Sequence, residues 1–261
     1  MRTYTADLHI HTCLSPCGQL TMAPEKIVSA AMRCGIDLIA VTDHNTAGMV
    51  DVVAQVAAGS GLSFLYGIEL QTREEVHLLA YFDDPVSCHR FSDVIYEHLP
   101  QRENDPAFFG DQVVVDVDER IVRFEARLLL NSLDLSLEEA VECVLSHGGL
   151  PVPAHVDREP YGLMAQLGFR PAALCFPLVE ADAAVLPDGF RGSTLLWGSD
   201  AHRPREVGTR MTQFVMERPS IEEMRSAAAG IGGRSVVVVA RSDRNDPVCG
   251  KDETERTGIG A

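Results

Sequence analysis

His9 and His11 stand one residue apart in DLHIHTCLSPCG (residues 7–18), directly after a short apolar, β-favouring run. Further groups of related chemistry are scattered over nearly two hundred positions: His44 after LIAVTD, Glu69 after FLYGI, and His77 after EEV. His155 ends LPVPA, and Asp200 and His202 end LLWGSDA. Imidazoles gathered in one place repel if all are protonated, and so do inward-facing carboxylates. Divalent cations resolve both conflicts, because neutral imidazole and carboxylate are their normal ligands. A nitrogen and oxygen set with few thiolates suits Zn²⁺, Mn²⁺ or Fe²⁺ better than Ca²⁺ or a cysteine-rich structural zinc site. Singly, each residue has a plainer reading. His44 fits a loop with Asp43 or Asn45 as turn former, Glu69 a solvated strand end, and Asp200 and His202 a cap. Their shared placement is what argues for ligands; His89, His98 and His147 lack it and are assigned to surface or packing roles.

The elements that must carry these residues alternate between strand and helix. After the opening strand, APEKIVSAAMRCG places Ile27, Val28, Ala31 and Met32 on one helical face, with Pro24 in its first turn and Gly35 at its end. IDLIAVTDH, LSFLYGIEL and EVHLLAYF read as strands and GMVDVVAQVAAGSG as a helix. SLEEAVECVLSHGG opens with Ser136 and Glu139 at capping-box spacing, and SIEEMRSAAAG repeats the pattern with Ser220 and Glu223. LPVPAH, AALCFPLVE, TLLWGSD, TQFVME and SVVVVA supply the remaining strands. Such alternation predicts a parallel α/β sheet, open or closed, and eight potential ligands then fall at or near the C-terminal ends of strands. Active sites of barrels and open α/β sheets are built at that rim.

Two regions depart from the pattern. Residues 83–130 are acidic and irregular, with a helix expected at Arg90–Leu99 and a hairpin in QVVVDVDERIVRF; they read as an insertion over the mouth, a possible lid. Residues 242–261 lack apolar periodicity and are expected to be a disordered tail, leaving residues 1–241 for the barrel. The length of 261 residues suits one large α/β domain, and a hydrophobic content of 46% suits a sizeable core. A formal net charge of −16 argues against a long nucleic-acid duplex as partner, while leaving room for a small anionic substrate held by local cations. Seven scattered cysteines do not read as a disulfide framework, MRTYTADLHIH reads as too polar for a signal peptide, and no apolar run of membrane-spanning length is expected. A soluble, cytoplasmic protein with no membrane partner is expected; the oligomeric state is left open.

DLHIHTCLS, IAVTDHN, GIE, EVHLLAYF, PAHVDR and GSDAH, in that order, resemble the PHP (polymerase and histidinol phosphatase) family of metal-dependent phosphoesterases over roughly residues 5–240. The resemblance implies a distorted seven-stranded, TIM-like (β/α)7 barrel with two or three divalent transition metals (Mn, Zn or Fe) in its mouth. Carried over by position, it implies that His9, His11, Glu69 and Asp200 hold a first metal. Glu69 then bridges to a second completed by His77 and His155, and His44 and His202 hold a third. Family members usually add a histidine or aspartate to the third site a few residues after the His-x-His. Here the matching stretch SPCGQ offers only Cys17. Either Cys17 ligates as a thiolate, or the third metal is weakly held or absent, and the weaker third site is preferred.

The chemistry implied is hydrolysis of a small phosphomonoester or nucleotide phosphate by in-line attack of a metal-bridging hydroxide. Glu69, Asp200 and His202 form the catalytic set, with His202 or the third cation assisting the departing alcohol. Asp43 is placed behind His44 or a neighbouring imidazole. Arg158 offers a planar fork for the phosphate, or alternatively a surface salt bridge with Asp157 or Glu159. Competing readings are a short-oligonucleotide 5′–3′ exonuclease, a histidinol-phosphatase-like enzyme, and a non-catalytic metal-stabilised module. An amidohydrolase is a further alternative, disfavoured because the chain carries only Lys26 and Lys251, and neither ends a core strand.

Overall fold

The computed structural model describes residues 1–240; the tail expected at 242–261, with residue 241, lies outside the described residues. In chain order the first half forms β1 (Arg2–Asp7), α1 (Pro24–Arg33), β2 (Leu38–Val41), α2 (Val50–Gly59), β3 (Ser63–Gln71), β4 (His77–Phe82), α3 (Pro85–His98), α4 (Pro106–Phe109), β5 (Val113–Val115) and β6 (Ile121–Phe124). The second half forms α5 (Leu137–Ser146), β7 (Leu150–Pro153), α6 (Leu163–Leu167), β8 (Leu178–Glu180), β9 (Thr194–Leu196), β10 (Arg210–Met216), α7 (Ile221–Ala228) and β11 (Ser235–Ala240).

Seven strands build the main sheet in the order β11-β10-β1-β2-β3-β4-β7, while β8 and β9 pair in parallel beside it. The sheet is mixed where a parallel one was expected. β1, β2 and β3 run parallel, but β4 is antiparallel to both β3 and β7, and β10 to both β1 and β11. Chain length explains the first reversal. Only residues 72–76 separate β3 from β4, whereas a parallel crossover needs a dozen or more residues.

Alternating side chains divide the core in two. Ile39, Val41, Leu78 and Phe82 pack with Ile27 of α1, Val53 of α2, Phe91 of α3 and Val144 of α5. Their neighbours Leu38, Ala40, Leu79 and Tyr81 face the other way. These join Leu178 of β8, Leu196 of β9 and Met224 of α7 in a second cluster, so the sheet curls around its own inner face. Each such large apolar side chain contributes roughly 1.5–3 kcal/mol on burial. The architecture is an α/β fold on a curled seven-stranded sheet.

Local chemistry accounts for several boundaries. Ser136 and Glu139 form the reciprocal capping box that starts α5. At α7, Ser220 accepts the Glu223 N–H as expected, but the Glu223 carboxylate turns to the Glu217 N–H and Arg234 instead of closing a box. β7 tolerates Pro151 and Pro153 because it is the end strand of the main sheet, where a missing N–H breaks no second ladder. The helix expected at Arg90–Leu99 starts earlier, at Pro85, where the Asp84 side chain accepts from the Ser87 N–H. α3 packs through Phe91 on Phe82 of β4, so this part of the expected insertion belongs to the helical layer. The hairpin appears as β5–β6, and the Val113 N–H donates to the Cys13 carbonyl in the loop after β1. Among the described residues no helix is long and apolar enough to cross a membrane.

Candidate metal centre

His9 and His11 follow β1, His44 follows β2, Glu69 lies near the end of β3, and His155 follows β7. Asp200 and His202 stand after β9. His77 differs: it opens β4. Because β4 runs antiparallel, with Gln71 opposite His77, its first residue reaches the rim where β3 ends.

The buried Glu69 carboxylate is the meeting point. Its Oε1 lies 2.8 Å from His77 Nδ1 and 3.3 Å from both His9 Nε2 and His155 Nε2. Its Oε2 lies 3.2 Å from His11 Nε2 and from His44 Nδ1. Asp200 Oδ1 stands 3.1 Å from His11 Nε2 and 3.3 Å from His9 Nε2. His202 stacks on His11 with ring centroids 4.3 Å apart and donates through Nδ1 to the Asp200 carbonyl, 2.8 Å away. All eight residues singled out from the sequence are thus brought together. His9 Nε2, His44 Nδ1 and both Glu69 oxygens are buried without a well-formed hydrogen bond among the described residues. Buried polar atoms are seldom left so, and unpartnered donor atoms converging from several strands fit divalent cations. His9, His11 and Glu69 form one group able to hold an ion, and His44, Glu69 and His77 another.

Cys17 joins as well. Its Sγ and one nitrogen each of His11, His44 and His202 lie within 4.8 Å of one another, although the cysteine as a whole is exposed. The loop that carries it bends tightly: a Cβ on Gly18 would come within 2.6 Å of the Thr12 carbonyl oxygen.

Behind these groups stands a layer of partners. Asp43 does not reach the His44 ring; it accepts from Thr12 and from Ser15 Oγ at 2.6 Å, and Ser15 Oγ lies 3.1 Å from His11 Nδ1. Gln71 Oε1 lies 3.3 Å from His77 Nε2. Arg158 is engaged by Asp182 through Nε and Nη2 and by Asp200 through Nη1, so its fork grips two aspartates where the sequence suggested a phosphate or the neighbours Asp157 and Glu159. Sequence reasoning missed Glu180, whose carboxylate meets His9 Nδ1 at 3.0 Å. Its signal was only a carboxylate closing an apolar strand, FPLVE. His89 pairs with Asp51, His98 with Asp134, and His147 packs on Phe91, all apart from the cluster.

The charges follow from this packing. Burial opposes charge on His9, but Glu180, Asp200 and Glu69 outweigh it and hold its pKa well above the usual imidazole value. The same contest raises His11 to about 9 through Asp200 and Glu69. Burial depresses His44 and His77, and takes His202 down to about 4. Burial alone would raise the Glu69 and Asp200 carboxyls, yet the surrounding imidazoles hold both well below the ordinary range. Burial also raises the Cys17 thiol, and Glu69 and Asp200 add to the rise. His155, Asp200 and Asn45 carry positive φ angles of 29°, 50° and 52°, a region that non-glycine residues occupy rarely.

Residues 7–132 match the family model described as the PHP domain, a little under half of the chain. Over that stretch the chain matches the family that the motifs implied. PAHVDR and GSDAH lie beyond that stretch. No curated protein sequence matches the chain. Among solved structures, the lesion-specific endonuclease Endonuclease Q from Pyrococcus furiosus is similar, with TM-score 0.68 and 19% identity over 90% of this chain and 58% of that one. An amidohydrolase from Chromobacterium violaceum has TM-score 0.52 and 19% identity over 92% and 99% of the two chains. A protein described as a candidate metal-dependent phosphoesterase, from Bifidobacterium adolescentis, has TM-score 0.50 and 19% identity over 76% and 88%. At these identities the likeness is one of fold, and the chain spans less than two thirds of the length of Endonuclease Q.

One expectation is overturned. Net charge was taken to exclude a long nucleic-acid duplex, but Endonuclease Q, whose fold this chain shares with TM-score 0.64 and 20% identity, has been solved with a 27-mer duplex substrate bearing an abasic lesion at its active site. Whole-chain charge is a poor guide because cations fixed at a mouth govern the local field.

Proposed function

We propose that the chain is a metal-dependent hydrolase of phosphoric esters, acting on a small phosphomonoester or nucleotide phosphate. The carrying observation is the single buried carboxylate, Glu69, with five imidazole nitrogens within 3.3 Å of its two oxygens. His9, His11, Glu69 and Asp200 would hold one divalent cation, Glu69, His77 and His155 a second, and His44 and His202, with Cys17, a third. Bound there, such cations neutralise phosphate oxygens and make water a competent nucleophile near neutral pH. Asp200 is kept in place by Arg158, and His11 by the Ser15–Asp43 pair. His202 is partly exposed at the mouth, where a cation held with His44 would stabilise the oxygen of a departing alcohol. We place the seven-stranded (β/α) barrel of the PHP fold around this centre, with residues 99–130 bordering its mouth.

A second reading, cleavage of a phosphodiester in nucleic acid, draws support from the fold shared with Endonuclease Q. The amide reading gains little, since the only lysine among the described residues, Lys26, lies on α1 away from the cluster. Turnover of p-nitrophenyl phosphate, nucleotides, short oligonucleotides and lesion-bearing duplexes, assayed with Mn²⁺ or Zn²⁺ and again after chelation, tests both. Metal-dependent release of phosphate from monoesters supports the first reading, and cleavage of nucleic acid alone supports the second. No turnover of any of these by metal-saturated protein overturns both.

A further inference from the structure

We propose that Glu180 is a positioning residue for two ligands at once, fixing the His9 ring and the His155 backbone so that both face the metal centre. The inference rests on the metal-binding reading of the cluster.

Glu180 closes β8 and is 3% exposed. Its Oε1 and Oε2 lie 3.0 and 3.2 Å from His9 Nδ1. A carboxylate accepts only, so Nδ1 must carry the hydrogen and His9 Nε2 is left facing Glu69 and Asp200 at 3.3 Å. Glu180 Oε1 also accepts the His155 N–H at 3.2 Å. That residue has φ of 29°, a conformation costly for a residue with a side chain, and the bond helps to hold it. The main chain adds a third tie, the Val156 N–H donating to the Glu180 carbonyl. One side chain on β8 thus braces the residues that follow β1 and β7, which are expected to serve different metals.

The space for this brace is built into the sequence. Gly198, after β9, lies against it: a Cβ there would stand 2.6 Å from His9 Cβ and 2.7 Å from Glu180 Oε2. No side chain fits at that position without moving both residues.

Full-length E180Q and G198A, alongside wild type, provide the test. Bound Zn²⁺ is counted by elemental analysis, its release by a chelator is timed, and the histidine ring signals are followed by ¹⁵N NMR. Partners of this kind typically change metal affinity by about 10- to 100-fold. E180Q, which keeps the size but loses the charge, is expected to release its tightest Zn²⁺ at least about tenfold faster and to shift the His9 Nδ1–H resonance upfield. Melting followed by circular dichroism confirms that the variant is folded. G198A is expected to displace the same resonance. A folded E180Q with wild-type metal content, release rate and His9 signal overturns the brace while leaving the metal centre standing. A wild-type protein that takes up no divalent metal overturns the reading beneath it and this proposal together.

Discussion

Metal uptake at the first site should release protons, and the structure says how many. The Glu69 and Asp200 carboxyls are held well below their usual range, so near neutral pH they have no proton to lose. His9 is held well above the usual imidazole value and His11 at about 9, so each carries a proton that a cation must displace from Nε2. About two protons are expected per first ion at pH 7. Affinity then falls about a hundredfold for each pH unit below about 8, or about 2.7 kcal/mol per unit at about 1.36 kcal/mol per proton. The metal-free protein follows the opposite slope. A histidine whose folded pKa is raised adds stability that is full below the unfolded value and is lost as pH rises through the folded one. For His11 the window runs from 6.5 to about 9 and is worth about 3 kcal/mol, so chelated protein should melt at lower temperature at pH 9 than at pH 6.5. Calorimetric titration with Zn²⁺ in buffers of different ionisation enthalpy counts the protons directly. Zero proton release at pH 7, or an affinity indifferent to pH between 6 and 8, would mean that His9 and His11 are neutral in the metal-free protein.

Removing metal should also lower stability outright. An ion present at 100 times its dissociation constant adds about 2.7 kcal/mol, and roughly 2–4 °C accompany each kcal/mol in a chain of this size. Chelation is therefore expected to reduce Tm by roughly 5–10 °C per ion lost, read by calorimetry at fixed pH. Gly67→Ala places a Cβ 2.7 Å from Thr42 Cγ2 and 2.8 Å from the Val41 carbonyl, two residues before Glu69. It should cost about 1–3 kcal/mol by denaturant titration and weaken metal retention with it. Ser136→Ala removes the cap of α5, a side chain that bonds Glu139 and none of the eight clustered residues, and should cost about 1 kcal/mol with metal content unchanged.

Much of the centre was legible because its chemistry is local to strand ends. Histidines and carboxylates in otherwise apolar strands conflict with burial unless a ligand reconciles them, and Glu69, His155 and Asp200 showed that conflict in the sequence. Strand direction was not legible. His77 follows the same apolar alternation whether β4 runs up or down, and only the short 72–76 connection betrayed the reversal. Glu180 was invisible for a related reason: its partners His9 and His155 are remote in the chain, and only the packing of β8 beside the end of β7 makes it their neighbour. Arg158 was legible as a planar fork but not in its choice of Asp182 and Asp200, since Asp182 arrives from a loop twenty-four residues on. Capping followed simple spacing at α5 yet diverged at α7, where Arg234 competes for Glu223.

Anomalous diffraction from a crystal of the protein loaded with Zn²⁺ or Mn²⁺ is the most direct measurement. Peaks on both sides of the Glu69 carboxylate are expected, one shared with His9, His11 and Asp200 and the other with His77 and His155. Saturated crystals in which those imidazoles still rest against Glu69, with no anomalous density between them, would contradict a metal-built centre.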